Sequence, residues 1–313
     1  MKYKNWNLTT IGVIMGITVL GLFCFNGEPS ALARTVAVSI MGLVVSVVAA
    51  RVRWERLISA APWISGCALL LLMLVAFFQL EFCSLGSAFW IVTGTFPLLA
   101  AWMKVKYKVP MVRLLLILEF LVLACCLIVL GGSFLKNPDR CARLSAFFRG
   151  EQVETGKALA TELSRWRLAR QNATWFGTSK AAIPQVGLKH YPASRIVDAA
   201  VHGKCYPTML CVMFVVLAIV LMQPIFAERH ESSIRWFGIL SMLWITAPLP
   251  LTLMQVFMVI PAVNIPIPFV NCGLETLFAW AMIGIIACLN GRLLRLSGDS
   301  LDGCRKTGDC LLA

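Results

Sequence analysis

Residues 104–136 read KVKYKVPMVRLLLILEFLVLACCLIVLGGSFLK. The first ten hold Lys104, Lys106, Lys108 and Arg113 around Pro110, whereas the 22 from Leu114 to Leu135 hold a single charge, Glu119. A helix rises about 1.5 Å per residue, so about 20 apolar residues cross the roughly 30 Å hydrocarbon layer of a bilayer. The segment is long and apolar enough to cross once, starting from a cationic anchor.

Outward from it, the same pattern recurs on both sides. The apolar runs predict eight spans, at roughly 8–25, 35–50, 61–80, 87–103, 112–134, 207–227, 236–260 and 274–291. With 59% hydrophobic and 14% charged residues and a mean hydropathy of +0.81, the chain is excluded from the soluble domains. The expected fold is all-α and polytopic, one integral membrane domain over residues 1–313.

Short loops carry the orientation signal. Lys2 and Lys4 precede the first span, Arg51, Arg53 and Arg56 follow the second, and Lys104 to Arg113 follow the fourth. Arg229 and Arg235 follow the sixth, and Arg292 and Arg295 the eighth; in the short loops between, Arg34 is alone. By the positive-inside bias both termini face the cytoplasm, 292–313 is a cytoplasmic tail, and 135–206 forms a large extracytoplasmic loop. Ala31, Leu32 and Ala33 resemble a signal-peptidase site, but cleavage there would invert this parity.

Part of the net charge of +13 sits in these anchors and part in the large loop, which has twelve Lys or Arg against five acids. Within it Leu159, Leu163, Trp166 and Ala169 recur at helical spacing with Arg165, Arg167 and Arg170 alongside, as in a helix lying in the membrane interface or a charged helix packed on the bundle. Of twelve cysteines, Cys67, Cys125, Cys126, Cys211 and Cys288 fall in apolar spans as small core residues. Cys83, Cys141, Cys205 and Cys272 fall on or near the outer face, where a disulfide can form but the sequence does not fix which would pair.

Five segments, in order, give the chain a resemblance. Gly86, Trp90, Ile91 and Gly94 form GxxxWIxxG, and Arg140, Arg143, Leu144 and Phe147 form RxxRLxxF. Leu168, Ala169, Trp175, Phe176 and Gly177 follow, then Tyr191–Pro192, and finally Pro261, Pro268, Phe269, Val270 and Gly273 before the last span. This set resembles the SEDS family of shape, elongation, division and sporulation proteins (RodA, FtsW and SpoVE). There are departures. The family's ten spans are eight here, its QPSE segment is missing after Phe96–Pro97, and Thr178, Ser179 and Lys180 replace its glycine-rich stretch. Asn271, Leu274 and Glu275 replace small residues of the last signature, and the acidic pair after its aspartate is missing near Lys204.

The resemblance implies polymerisation of lipid II, an undecaprenyl-pyrophosphate-linked disaccharide pentapeptide, at the outer face of the bacterial inner membrane. It also implies a class B penicillin-binding protein as transpeptidase partner. The chemistry needs a carboxylate to take the acceptor hydroxyl's proton, and Asp198, six residues after Pro192, is the candidate; its other reading is a helix cap. The leaving pyrophosphate needs cations held over it. Arg140 and Arg143 lie in a motif for that role, and Lys180, Lys189 and Arg195 are further candidates, the plain alternative being a solvated basic face. A divalent cation, magnesium or manganese, would assist there, although no ligand cluster stands out.

Three residues in or beside the spans complete the candidate substrate site. Glu119 is a carboxylate inside a span, expected to line a cavity or to be held protonated by a hydrogen bond. Trp90 lines the lipid-substrate groove or belongs to an interfacial belt. Pro268, with Pro261 and Pro266, fixes a non-helical outer turn. Two further readings of the whole chain stand beside the enzyme: a scaffold of a division or elongation complex that has lost catalysis, and a transporter or lipid flippase, for which the expected internal repeats are not seen.

Overall fold

The computed structural model describes residues 6–25, 29–78, 85–136, 196, 206–226, 232–257, 259, 265–270 and 273–289. The regular structure among them is α-helical. The first five rods are α1 (Trp6–Phe25), α2 (Pro29–Arg51), α3 (Trp54–Phe78), α4 (Leu85–Tyr107) and α5 (Met111–Lys136). They are followed by α6 (Tyr206–Phe226), α7 (Ser232–Thr246), α8 (Pro248–Val256) and α9 (Leu274–Leu289). Each of the eight expected spans is thus occupied by helix. Three of these rods, Trp54–Phe78, Leu85–Tyr107 and Ser233–Val256, are long and apolar enough by length and composition to cross a membrane.

The seventh span is two helices rather than one. Pro248 has no N–H to give the carbonyl of Trp244, so one bond is missing from the ladder at Ala247, whose own φ −59° and ψ −32° remain helical. Hydrogen bonds from the Ala247 N–H to the Leu243 carbonyl (2.8 Å) and from the Leu251 N–H to the Ala247 carbonyl (3.2 Å) carry the helix across the missing bond.

Helix α4 is the wall of the bundle. It packs on α3, α5 and α7, while α6 joins α7 to α1. Its Trp90, Leu98 and Ala101 enter one hydrophobic cluster shared with α1, α6, α7, α8 and α9; its Ala88, Val92, Phe96, Ala100 and Met103 enter a second, shared with α3 and α5. A helix apolar all round can be buried all round, which is the position α4 takes.

Helices α2 and α9 approach closely because glycine lets them. The indole of Trp280 lies on Gly42, and Gly284 faces the backbone carbonyl of Ser46, so a β-carbon at either glycine would collide. The opposite face of α2 carries Val36, Ile40, Val44 and Val48, all exposed.

The cations gather at one end of the bundle. There Arg51, Arg53, Arg56, Lys106, Lys108, Arg113 and Arg235 are exposed, beside the Trp54–Phe237 ring contact at 5.2 Å. The ammonium of Lys106 lies 5.4 Å from the Trp102 ring and 5.5 Å from the Tyr107 ring, a cation–π arrangement at the end of α4. Ala31–Ala33 lies within α2. Cys125 is buried, and Cys126, Cys211 and Cys288 are half-buried, but Cys67 is exposed on α3 and is not a core residue; all five are free thiols.

Candidate functional site

At the end of the bundle away from the cations, α4 opens with Ser87, Trp90 and the pair Thr93–Gly94, each three or four positions from the one before and so on one side of the helix. Trp90 stacks on Trp244 of α7 with ring centroids 5.9 Å apart. The Trp244 indole N–H donates to the Trp90 carbonyl at 2.9 Å and to the Thr93 hydroxyl oxygen at 3.2 Å. Phe278 of α9 meets the far side of Trp244 edge-on at 5.5 Å. Gly94 makes the crossing fit, since a β-carbon there would stand 2.7 Å from Phe278 and 2.8 Å from Trp244.

One turn nearer the outer end, Glu275 enters from α9. It is 2% exposed, and its carboxylate folds back over Gly273, accepting the backbone N–H groups of Gly273 and Glu275 and the hydroxyl of Ser87. Oε2 is left without a partner among the described residues, as is the indole N–H of Trp90. An acid in the first turn of a helix meets the unpaired N–H groups and the positive end of the helix dipole, which accounts for a carboxylate at this place.

The chain reaches α9 through a non-helical turn, residues 265–270, that is sunk into the bundle. Ile267, Pro268, Phe269 and Val270 are all buried there. Phe269 has φ 69°, an uncommon backbone conformation for a bulky side chain. Its N–H donates to the Thr276 hydroxyl oxygen at 3.1 Å, and its ring meets Trp280 edge-on at 5.7 Å, so neighbours on both sides hold it. Val270 rests on Gly21 of α1. Backbone without helical hydrogen bonds is tolerated at membrane depth only when protein surrounds it, as here.

Against these positions, the expected site residues divide. Trp90 and Pro268 belong to the same end of the bundle, both buried. Glu119 stands apart from them, exposed on the outward face of α5 rather than turned into the bundle. Asp198, Arg140, Arg143, Lys180, Lys189 and Arg195 lie outside the described residues. Ile196, two positions before Asp198, is described: it is 4% exposed and belongs to the hydrophobic cluster that also holds Trp90, Ile267 and Phe269. Among the described residues no three His, Cys, Asp or Glu side chains gather as a metal would require. The one described acid at this end, Glu275, is engaged with backbone donors and the Ser87 hydroxyl.

Trp244 is the residue that the amino-acid pattern hid. Its signal is a tryptophan in the middle of a span rather than at its edges, where interfacial belts place the residue. The burial of Glu275 was equally hidden, for an acid in a first helical turn usually faces water.

These elements define a polytopic helical membrane protein, and solved structures of the same architecture exist. One is a peptidoglycan synthase complex, described as coordinating polymerisation and crosslinking structurally. It is 18% identical, with a TM-score of 0.61, covering 90% of this chain and 96% of its own. Another is an aspartate-to-alanine variant of the rod shape determining protein RodA from Thermus thermophilus, also 18% identical, with a TM-score of 0.59 and the same coverage. At that identity the likeness is one of fold: the chain has a RodA-like fold, consistent with its SEDS-like signatures. No family model matches the chain, and no curated protein does.

Proposed function

We propose that this protein is a RodA-like peptidoglycan glycosyltransferase of the bacterial inner membrane, extending glycan strands from lipid II at the outer face. The observation that carries the reading is the RodA-like fold along 90% of the chain, joined to the five signature segments. Ile196, two positions before Asp198 in the sequence, is itself buried in the cluster that holds Trp90, Ile267 and Phe269, which supports the choice of base.

The step balances without a redox partner. An acceptor hydroxyl oxygen attacks the anomeric carbon of the lipid-linked sugar, its proton passes to the Asp198 carboxylate, and the bond from the anomeric carbon to the pyrophosphate oxygen breaks. Arg140 and Arg143 neutralise the charge that develops on the leaving pyrophosphate, with Lys180, Lys189 and Arg195 available beside them. The synthase complex of the same fold joins polymerisation to crosslinking, which supports a class B penicillin-binding protein as the partner here.

A second reading, a scaffold without catalysis, is favoured by one observation. Glu275 fills the space over Gly273 and takes its N–H, where the family signature has a small residue. Labelled lipid II given to the purified protein separates the two. Strands that form with the parent and fail with Asp198→Ala support the enzyme; no strands under any condition, including with the partner added, leave the scaffold.

A further inference from the structure

Away from the cationic end, where Glu55 stands among the arginines, two described carboxylates occur within the spans, and their surroundings are opposite. Glu275 is buried and hydrogen-bonded. Glu119 is exposed on α5, about 9 Å along the axis from Arg113, and makes no hydrogen bond or ion pair with any described residue. Lys and Arg reach the headgroups from such a depth by long stems; glutamate has a shorter one. Acids inside spans normally turn toward the bundle or a water-filled cavity, because hydrocarbon offers nothing to bond them.

The face around Glu119 has the pattern of a helix seam. Leu114, Leu118 and Cys125 are buried against α3 and α4. On the other side Leu116, Phe120, Leu123 and Leu127 are 59%, 69%, 55% and 61% exposed, at intervals of four, three and four residues. That is the spacing of the two apolar positions of a heptad, and Glu119 falls at the flanking position where paired helices set their interhelical ion pairs. The described outward faces of α2, α3 and α6 are just as apolar at mid-span but offer no carboxylate.

We propose that this face of α5 is the docking surface for a transmembrane helix of another protein, which presents a Lys or Arg to Glu119 across a leucine-rich seam. A second copy of this chain does not fit. At that depth its described residues offer apolar side chains and another Glu119, which brings no cation to pair with the first. A cationic partner neutralises the charge and supplies the donors that lipid lacks.

The test uses the full chain in vesicles with two labelled probes of about 20 residues. One is a leucine-rich helix with a single Lys at the depth of Glu119, and the other has Leu in its place. Energy transfer should report the Lys probe binding about tenfold more tightly, with the difference lost in Glu119→Leu and restored when Glu119→Lys meets a Glu probe. As Glu119 is exposed, both variants should keep the thermal stability of the parent, which separates lost docking from lost folding. Equal binding of the two probes, binding that survives Glu119→Leu, or self-association of the chain that disappears in Glu119→Leu would each overturn the proposal.

Discussion

The indole N–H of Trp244 donates to the main-chain carbonyl of Trp90 at 2.9 Å, bonding two helices more than 150 positions apart in the chain. That carbonyl also accepts the Thr93 hydroxyl at 3.0 Å, and the indole N–H reaches the Thr93 oxygen as well, at 3.2 Å. Trp244→Phe keeps most of the ring and removes the donor, and is expected to cost about 1 kcal/mol. Trp244→Ala also opens a void beside Phe278 and Gly94 and is expected to cost about 3–5 kcal/mol. Thermal unfolding in detergent or nanodiscs orders the two, and similar losses would show that the ring contributes little.

Gly273 and Glu275 should be coupled. Gly273→Ala drives a methyl into the carboxylate that lies over it, with an expected loss of about 1–3 kcal/mol. Glu275→Ser vacates that space, so the double variant should recover much of what Gly273→Ala loses. A double-mutant cycle on stability measures the coupling, and additive losses would mean that the carboxylate moves aside freely.

The glycines of the bundle should respond unequally to alanine. Gly284→Ala meets the backbone of Ser46, which cannot rotate away, whereas Gly66 on α3 is exposed with nothing within 4 Å of an added β-carbon. Gly284→Ala is expected to lower stability by several kcal/mol, and Gly66→Ala to raise it by about 0.5–1 kcal/mol through helix propensity. Comparing the two melting temperatures with that of the parent checks both signs.

The anchoring cations predict the orientation. A chain cleared of native cysteines and carrying Ser179→Cys is expected to react with an impermeant thiol reagent added outside intact cells. Reaction only after the inner side is opened would reverse the placement of the 135–206 loop.

The rods were legible in the amino-acid order because crossing hydrocarbon demands length and apolarity, both of which are linear properties. The turn before α9 was legible too, from Pro266 and Pro268. Which side of each rod faces inward was not. Lipid is as apolar as a leucine core, so no polar stripe marks the outside of α5, and Glu119 could be assigned a depth but not a direction. Cys67 was misplaced for the same reason. The break in the ladder at Ala247 was written in Pro248 but was submerged in a long apolar run, and Trp244 acquires meaning only once α4 and α7 are laid together. For Asp198, Arg140 and Arg143 the motif is the support, with Ile196 as the nearest structural tie.

The glycine-mediated crossing of α2 and α9 bears on how the protein is made. The second hydrophobic segment leaves the ribosome well before α9, which supplies the surface on which Gly42 and Ser46 come to rest. Until Trp280 and Gly284 arrive, that stretch of α2 waits in the bilayer without its mate. Chains halted before α9 would therefore display an unmatched glycine-bearing helix, a mark by which a membrane protease could tell molecules that lack α9 from those that have it.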